Sequence, residues 1–247
     1  MPPIMAGSKH IPEQQTFDVI IIGAGAAGLM CAAECGRRGR SVLVLDHAPR
    51  TASKVRISGG GRCNFTNRGA SADRYASENP DFCRSVLARF TPRRMLDLVE
   101  KYGIAYYEKE AGQLFCRNGA KEIVTLLERE CRQAGAAIVL DCRVSGIEKR
   151  GPFDVTTTCG DFRSSSLVIA TGGLSYPNLG ASPFGHRIAR QFGLSVVPPR
   201  PALVPFLFPR REQKTFRTCA GISLAVVIGC GKKCFRGSML FTHRGLS

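Results

Sequence analysis

Three glycines at positions 23, 25 and 28 have the spacing of a turn that binds dinucleotide phosphates. Gly23 permits a tight turn, Gly25 lets a pyrophosphate approach the backbone because it has no Cβ, and Gly28 allows a helix to pack closely. Asp46 follows at about the interval expected of an acid that holds a ribose hydroxyl. We call the glycine-rich stretch the phosphate turn; it comprises Gly23, Ala24, Gly25, Ala26, Ala27 and Gly28.

The sequence around the phosphate turn predicts the elements that would position it. Phe17 to Ile22 is a short apolar run rich in β-branched residues, typical of a strand buried on both faces. Ala26 to Arg38 predicts a helix that ends at Gly39, and Ser41 to Leu45 predicts a second buried strand. The alternative is a glycine-rich turn in an ordinary βαβ unit, and the register of strand, glycines, helix, strand and acid disfavours it.

A second glycine-rich stretch follows Asp46, and we predict a long loop there, from His47 to Asn67. Its three consecutive glycines would let the backbone lie against a planar ring and direct N–H groups at it. Lys54 and Arg62 add positive charge, which would stabilise a reduced, anionic flavin or a pyrophosphate. A hinge loop is the alternative interpretation. The part we call the glycine loop comprises Ser58, Gly59, Gly60, Gly61, Arg62, Cys63 and Asn64.

Cys63 in the glycine loop raises the question of a flavin-linked disulfide reductase. Such an enzyme needs two cysteines beside the ring, and the nearest ones along the chain, Cys35 and Cys83, lie outside the loop. We therefore predict a packed thiol at Cys63 rather than one half of a dithiol.

Small residues also follow the apolar run Leu167–Ala170, namely Thr171, Gly172 and Gly173. At the carboxyl end of a parallel strand they would leave room for a ligand in the crevice beyond the sheet. The sequence predicts no metal site and does not identify a catalytic residue, because none of the histidines stands near a nucleophile or a ligand set. These histidines are His10, His47, His186 and His243.

The chain carries a formal net charge of +16, from 35 basic and 19 acidic residues. Such an excess is compatible with nucleic acid, an anionic cofactor or an acidic partner surface. Because no RNA-binding motif accompanies it and aromatic residues are not interleaved with the charges, the charge alone does not favour nucleic acid. Eleven scattered cysteines without a Cys-x-x-Cys pair indicate free thiols and a cytoplasmic location. No apolar run reaches the ~18 residues that span a bilayer.

We predict three regions: a disordered extension over 1–16, a nucleotide-binding domain over 17–193, and the start of a β-rich second domain over 194–247. Five prolines between Leu194 and Pro209 favour an extended crossing between the domains. Gly229 to Lys233 imitates the opening of a phosphate loop, but the flanking strand-like runs favour a hairpin turn. In the second half of the nucleotide-binding domain, the sequence predicts four strands: Ala137–Leu140, Arg143–Lys149, Phe153–Thr158 and Ser166–Ala170.

With these motifs in view, the sequence resembles the bacterial flavoproteins described as NAD(P)/FAD-dependent or aminoacetone-oxidase-family oxidoreductases, whose relatives include BaiN-like bile-acid dienone reductases. The most restrictive shared motif is SGGGRCNFTN, Ser58 to Asn67. The resemblance extends from about Phe17 to the last residue. Further shared stretches are Gly112–Leu127, Val168–Gly180 and Leu240–Ser247.

The resemblance implies a fold and a cofactor. The expected fold is α/β, a Rossmann-like domain of the glutathione-reductase type that binds FAD, with a partial, mostly β inserted second domain. The phosphate turn would hold the pyrophosphate of FAD and Asp46 its ribose, while the backbone of Val144 would meet the adenine. Further contacts would come from Lys54, the glycine loop, Thr171, Gly172 and Gly173.

The sequence departs from the family pattern in two places. Gly180 to His186 reads GASPFGH and lacks the acidic residue that the family usually has after its Pro-x-x-Gly turn. The motif LFTHRGLS, Leu240 to Ser247, normally continues into a Gly-Pro segment and a long C-terminal portion. We therefore expect this chain to be an N-terminal portion, with exposed strand edges and weak or absent flavin binding in isolation.

The leading hypothesis is an FAD-dependent oxidoreductase that passes a hydride through flavin N5 to or from a small organic substrate, such as one with an activated carbon–carbon double bond. NAD(P)H is a candidate donor that would dock transiently, since no second dinucleotide motif is visible. Three alternatives stay open: a non-catalytic FAD-binding remnant, a flavoprotein acting on RNA, and an NAD-binding dehydrogenase. The oligomeric state is not predicted.

Overall fold

The structure, a computed structural model, describes residues 4–5, 15–75, 77–79, 81–231 and 233–247. It separates into two compact units, Met1–Ser195 and Val196–Ser247, so the division falls two residues beyond the predicted boundary. The strands are β1 (Ile4–Met5), β2 (Thr16–Ile22), β3 (Val42–Leu45), β4 (Asn64–Asn67), β5 (Tyr106–Glu108), β6 (Gln113–Cys116), β7 (Ala137–Val139), β8 (Val144–Lys149), β9 (Phe153–Thr157), β10 (Gly160–Ile169), β11 (Phe206–Leu207), β12 (Ser223–Cys230), β13 (Lys233–Leu240) and β14 (Gly245–Leu246). The helices are α1 (Ala26–Arg37), α2 (Ser53–Ile57), α3 (Arg84–Arg89), α4 (Pro92–Lys101), α5 (Lys121–Gln133), α6 (Phe184–Gln191) and α7 (Arg210–Phe216). Short 3-10 turns cover Ser58–Gly61, Ala72–Arg74, Glu110–Gly112, Pro177–Leu179 and Arg217–Cys219.

A seven-stranded sheet forms the centre of the first unit, in the order β1-β7-β3-β2-β10-β9-β8. β1, β7, β3, β2 and β10 are parallel to one another, whereas β9 and β8 continue the sheet antiparallel. Ile20, Ile21, Leu43 and Val44 are fully buried, as expected of central parallel strands covered on both faces. The predicted Rossmann-like α/β fold is therefore confirmed.

The strand β10 is longer than the sequence predicts, because it begins at Gly160 rather than Ser166. Its first half pairs antiparallel with β9, from Gly160 to Ser164, and its second half pairs parallel with β2 up to Ile169. The polar run at its start hid the strand, since only Phe162 and Ser164 there point into the protein. β10 thus joins the antiparallel edge to the parallel centre of the sheet.

The stretch predicted as a loop, His47 to Asn67, is ordered into short elements, so that prediction was wrong. α2 starts after Ala52, whose N–H donates to the carbonyl of Ala24 at 2.8 Å. β4 then pairs antiparallel with β6, in a three-stranded sheet of order β4-β6-β5. A helix of five residues has no stable periodic signal of its own, and contacts with the rest of the unit hold it in place.

Helix α1 packs against α5 through small residues. A Cβ at Gly36 would lie 2.2 Å from the carbonyl oxygen of Ala134, so the two helices approach at backbone distance there. Buried Ala32 and Ala33 continue the small face towards the sheet. The small residues on α1 therefore allow close packing against both the sheet and helix α5.

Glu130 is the buried carboxylate of this helix layer, with a side chain that is 2% exposed. It accepts from Tyr102 Oη at 2.6 Å and Lys101 Nζ at 2.9 Å, and it forms an ion pair with Arg37. One acid on α5 therefore ties α4 and α1 to the same point. A carboxylate can be buried only when such partners replace its water.

The second unit contains the hairpin β12–β13, paired from Ser223 with Leu240 to Cys230 with Lys233. The prediction of a hairpin turn at Gly229 rather than a second phosphate loop is thereby confirmed. Helix α7, which the sequence analysis did not predict, follows the proline-rich stretch. Large apolar side chains of the hairpin are exposed, including Val227 at 60% and Phe235 at 57%.

The predicted N-terminal extension, 1–16, falls mostly outside the described residues, which omit 1–3 and 6–14. Its described part differs from the prediction, because Ile4–Met5 pairs parallel with β7 and Thr16 opens β2. Within the ranges that the structure describes, no helix combines the length and apolar character needed to cross a bilayer.

Replacing the buried acid tests the helix layer. We expect Glu130→Gln to lower the free energy of unfolding by about 2 kcal/mol, because Arg37, Lys101 and Tyr102 lose a charged acceptor. Glu34→Gln is the matched control, since Glu34 also pairs with Arg37 but is 53% exposed; its effect should stay below about 1 kcal/mol. Urea denaturation of both variants measures the difference, and equal losses would contradict a stabilising role for the buried network.

Candidate functional site

A cavity of about 490 Å³ opens at the carboxyl ends of the parallel strands β2, β3 and β10. This edge of a doubly wound sheet is where ligands generally bind. Four of the predicted cofactor residues line it: Gly23, Asp46, Val144 and Thr171. The remaining lining residues are Ile22, Leu45, His47, Cys142, Arg143, Ser145, Ala170, Gly180, Ser182, Phe184 and Arg187.

The phosphate turn has the backbone geometry that its glycines predict. Gly23 adopts φ +112°, and a Cβ there would lie 2.4 Å from the carbonyl oxygen of Ala170. A Cβ at Gly28 would lie 1.8 Å from the carbonyl oxygen of Gly23. Both positions therefore exclude any larger residue, since real Cβ atoms do not approach backbone this closely.

Gly25 differs from its two neighbours because a Cβ there would meet no atom within 4 Å. The turn therefore has open space above Gly25, where a phosphate could approach. The Leu29 N–H donates to the carbonyl of Gly25 at 2.9 Å, which is the first hydrogen bond of helix α1. The N–H groups of the residues just before Leu29 are therefore those that an α-helix leaves without a partner inside the helix. The first turn of α1 contains no acidic residue, and the positive end of the helix dipole faces this space.

Asp46 lies at the end of β3 with its carboxylate against the phosphate turn. Its Oδ2 accepts from the Ala24 N–H at 2.6 Å, and its Oδ1 accepts from the Ala48 N–H at 2.8 Å. A carboxylate has about four lone-pair positions, so both oxygens can still accept from a ribose. Asp46 therefore also holds the phosphate turn in place, a role that the sequence analysis did not foresee.

Thr171 carries the clearest sign of an absent partner. Its Oγ1 is buried and has no hydrogen-bond partner among the described residues. It faces Gly185 at the start of α6, where a Cβ would lie 2.9 Å from this oxygen. Buried hydroxyls are normally paired, so an unpaired one in a cavity wall indicates a ligand that supplies the bond. Together with the open space at Gly25, this fits a dinucleotide such as FAD.

The cavity also contains basic side chains that the sequence analysis missed. Arg143 precedes β8, Arg187 lies on α6, and both line the cavity. The His47 ring packs against the Gly180 backbone, where a Cβ would lie 2.3 Å from its Nε2. Arg143, Arg187 and His47 are far apart in the sequence and belong to no common motif. Only the order of the strands in the sheet brings them to one cavity. The positive charges of the two arginines suit them to bind a negatively charged phosphate.

Lys54 connects the region after Asp46 with the residues that follow β10. Its Nζ donates to the carbonyl of Gly173 at 3.0 Å and lies 3.7 Å from the position of a Cβ on Gly172. A Cβ on Gly173 would meet nothing within 4 Å. The structure therefore brings Lys54, Gly172 and Gly173 together.

The glycine loop is packed on one side and open on the other. A Cβ on Gly59 would lie 2.6 Å from the Phe115 ring, so this glycine is required for packing. Gly60 and Gly61 adopt φ +66° and +82°, and a Cβ on either would meet nothing within 4 Å. Asn64, in the amide orientation that satisfies its surroundings, donates to the carbonyl of Thr66 at 3.0 Å.

Helix α2 holds the glycine loop close to the phosphate turn. Ala52, one residue before α2, bonds Ala24, and Ser58 follows directly after the helix. The helical rise separates Ser58 by about 9 Å along the helix axis from Ala52, the residue that is hydrogen-bonded to Ala24. One extended dinucleotide can span that distance. The Ser58 Oγ donates to the Val55 carbonyl at 2.8 Å, which fixes the start of the glycine loop.

Arg62 points towards the sheet β4-β6-β5 rather than into the cavity. Its Nη1 donates to the Tyr107 hydroxyl at 3.2 Å, and this bond raises the pKa of the guanidinium. No residue of the glycine loop lines the cavity, and neither do Lys54, Gly172 and Gly173, so the cavity itself joins only Gly23, Asp46, Val144 and Thr171 among the predicted residues. Of the two predicted cations, Lys54 is therefore the one in contact with other predicted site residues.

Cys63 is buried, and burial raises the pKa of its thiol. Cys116 lies near it, and burial, with a smaller effect from Cys63, raises the pKa of Cys116 to about 12. Cys35 and Cys83 are the cysteines nearest to Cys63 along the chain, but the pairing of β4 with β6 brings Cys116 closer to it in space. Both thiols are free, as expected of packed cysteines. Among the described residues, no cluster of three or more metal-ligating side chains is present.

The parallel sheet, the phosphate turn and the cavity define a Rossmann-like nucleotide-binding fold of the kind found in FAD-dependent oxidoreductases. The family model described as HI0933-like protein Rossmann domain matches residues 17–231. The chain belongs to this family.

Three curated relatives illustrate the family. The chain is 48% identical over 240 residues to a ribosomal RNA dihydrouridine synthase of Haemophilus influenzae, covering 94% of this chain and 59% of that protein. It is 47% identical over 235 residues to the protein of that name from Escherichia coli K12, with 94% and 59% covered. It is 29% identical over 206 residues to a 3-dehydro-bile acid delta(4,6)-reductase of Clostridium scindens, with 82% and 49% covered.

The chain thus spans 59% of the length of its relatives from H. influenzae and E. coli. The predicted relationship to bile-acid reductases is confirmed, while aminoacetone oxidation stays a prediction.

Two solved structures share the fold at low identity. Thermovibrio ammonificans THI4 gives a TM-score of 0.50 at 13% identity, covering 85% of this chain and 74% of that one. L-proline dehydrogenase from P. horikoshii gives a TM-score of 0.50 at 15% identity, covering 76% of this chain and 58% of that one.

Filling the space above Gly25 tests whether the phosphate turn binds the cofactor. We expect Gly25→Val to fold normally, because its Cβ meets no atom, yet to weaken FAD binding by about 10- to 100-fold through loss of charge-assisted bonds from the turn. Quenching of flavin fluorescence on titration gives the dissociation constants of both proteins. Gly237→Ala is the matched control, since Gly237 is also open but lies in the second unit. Unchanged affinity in Gly25→Val would exclude the phosphate turn as the binding site.

Thiol reactivity tests the packed state of the glycine-loop cysteine. At about pH 8 we expect slow modification of Cys63, Cys116 and Cys131, because raised pKa values keep these thiols protonated and the thiolate is the nucleophile. Exposed Cys230 and Cys234 should react first. Labelling with a maleimide and peptide mass spectrometry records the order. Rapid stoichiometric labelling of Cys63 in the folded protein would instead identify a reactive thiol.

Proposed function

We propose that the protein is an FAD-dependent reductase that adds a hydride and a proton across a conjugated carbon–carbon double bond, and that its substrate is uridine in ribosomal RNA. The observation that carries the proposal is the similarity to two relatives named ribosomal RNA dihydrouridine synthase, at 47% and 48% identity over 94% of this chain. The third relative, named a bile-acid delta(4,6)-reductase, supports the same reaction type on a different substrate.

The two substrates have the same reactive group. Uracil has a C5=C6 double bond conjugated with a carbonyl, and a dienone has double bonds conjugated with its ketone. In each case a hydride adds to the carbon far from the carbonyl, and a proton adds to the carbon next to it. The substrate thereby gains two electrons and two hydrogens. In the proposed reaction, NAD(P)H then supplies two electrons to reduce the cofactor again.

The chain's own residues would bind and orient the cofactor. Amides of the phosphate turn would donate to the pyrophosphate, and Asp46 would accept from the ribose. Thr171 would use its unpaired hydroxyl, and Val144 would bound the adenine end through its backbone. When bound, FAD supplies hydride transfer.

The opposite end of the proposed site is formed by Lys54 and the glycine loop. Lys54 Nζ is held by the carbonyl of Gly173, so its charge is fixed beside Gly172 and Gly173, while the backbone of Gly60 and Gly61 has open space beside it. A fixed cation favours negative charge on a reduced ring more strongly than a mobile one, because no reorganisation is required. The glycines would allow the ring to lie against the main chain.

An RNA substrate takes up the alternative of a flavoprotein acting on RNA, which the charge alone did not favour. The net charge of +16 is compatible with RNA, and the relatives' names supply the support that the charge alone lacked. A small conjugated ketone is the second candidate substrate, favoured by the bile-acid reductase relative. NAD(P)H stays a proposed transient donor.

Ribosomal RNA from a strain that lacks the gene provides the test. We expect incubation with the protein, FAD and NADPH to convert a uridine to dihydrouridine, because the double bond gains two hydrogens. Nuclease digestion and mass spectrometry locate the modified nucleoside. The control reaction uses Gly25→Val, whose product should fall in proportion to bound FAD.

Anaerobic NADPH titration with a small dienone separates the alternatives. Turnover of the dienone without dihydrouridine formation would overturn the RNA substrate and retain the reductase. A third outcome is that the protein binds FAD, that neither NADH nor NADPH bleaches the flavin absorbance, and that neither substrate gives a product. This outcome would overturn the reductase and favour a non-catalytic FAD-binding protein.

A further inference from the structure

The second unit contains a cavity of about 490 Å³ that is lined by basic side chains. We propose that this cavity, which we call the basic cavity, binds backbone phosphates of the RNA substrate. The inference rests on the proposed RNA function and adds a binding site outside the FAD cavity. The lining residues are Arg210, Gln213, Lys214, Arg217 and His243.

Helix α7 and Arg217, the residue that caps its C-terminus, place three of these cations on one face. Arg210, Lys214 and Arg217 are spaced four and then three residues apart, which brings side chains to the same side of a helix. Like charges at this spacing destabilise a helix by about 0.2–0.5 kcal/mol per pair. The dipole favours cations in the last turn by a similar amount, so the cluster is no clear gain for folding, and its charges on one face suit an anionic ligand.

Other parts of the second unit hold α7 and His243 in place. Phe216 of α7 stacks on Phe208 with ring centroids 4.8 Å apart, and its ring lies 6.1 Å from that of Phe241. The turn containing His243 is fixed by Thr242, whose N–H donates to the Gly245 carbonyl at 2.8 Å. The basic side chains therefore project from a packed base.

The basic cavity has no acid in its lining. Glu212 is the single acidic residue in the sequence from Val196 to Ser247, and it pairs with Arg211 at 3.5 Å. Arg211 is outside the lining. Across the described part of the chain, no carboxylate forms an ion pair with Arg210, Lys214 or Arg217. Their charges are therefore available for an anion.

The dimensions favour a chain of phosphates over a single one. Arg210 and Arg217 are separated by about 10 Å along the helix axis, as the rise per residue dictates. Cations over that length can contact successive phosphates. The nearby phenylalanine rings stack on each other rather than standing free for bases, so we expect contacts to the backbone that do not select sequence.

Salt dependence of RNA binding tests the inference. Fluorescence anisotropy with a ribosomal RNA fragment would be measured from about 50 to 200 mM salt. The test variant is Arg210→Gln, Lys214→Gln, Arg217→Gln. We expect its slope of log affinity against log salt to be shallower by about 2, because up to three phosphate contacts are lost. Its affinity at low salt should fall by about 10-fold or more.

The matched control removes the same charge from the first unit. Arg74, Arg84 and Arg150 are 74%, 71% and 76% exposed, and Arg74→Gln, Arg84→Gln, Arg150→Gln should keep the wild-type slope. The charge-preserving variant Arg210→Lys, Arg217→Lys should also keep it. Loss of the slope in this variant would assign the effect to folding of α7 and overturn the inference.

Two outcomes separate this inference from the proposed function. Wild-type RNA binding with an unchanged slope in the test variant would overturn the basic cavity and leave the RNA reductase standing. Absence of RNA binding by the wild-type protein at low salt would overturn both.

Discussion

The first unit depends on a close approach of backbone to backbone at the end of β2. Position 28 lies against the carbonyl of Gly23, and position 23 lies against the carbonyl of Ala170, so neither tolerates a side chain. This contact brings α1 onto the sheet with its N-terminus at the strand ends. The proposed pyrophosphate contacts follow from that placement, since it sets the free amides and the positive end of the helix dipole next to Gly23, which lines the cavity.

Asp46 makes the same region rigid. By accepting from Ala24 and Ala48, it ties the phosphate turn to the end of β3. Ala52 then ties the chain after Asp46 back to the turn. The residues proposed to bind pyrophosphate, ribose and ring are thus supported by backbone bonds that exist before a ligand arrives. Such preorganisation reduces the ordering cost of binding.

The sequence predicted the centre of the fold well, because buried parallel strands, glycine spacing and the small-residue helix all have strong local patterns. It failed where local patterns were weak. The polar start of β10 has no apolar run, and α2 is too short to show a helical period. Arg143, Arg187 and Cys116 gained their neighbours through strand order and pairing, which a linear spacing does not reveal.

By itself, the sequence determined which residues could form a dinucleotide turn, since steric limits on glycine and the dipole of a following helix act over a few neighbouring residues. It also determined the charge of the second unit. Tertiary structure alone decided that the buried Thr171 hydroxyl has no partner among the described residues, that Lys54 reaches Gly173, and that Arg62 turns to Tyr107. These contacts join residues distant along the chain, and their geometry is set by sheet order and packing rather than by local preference.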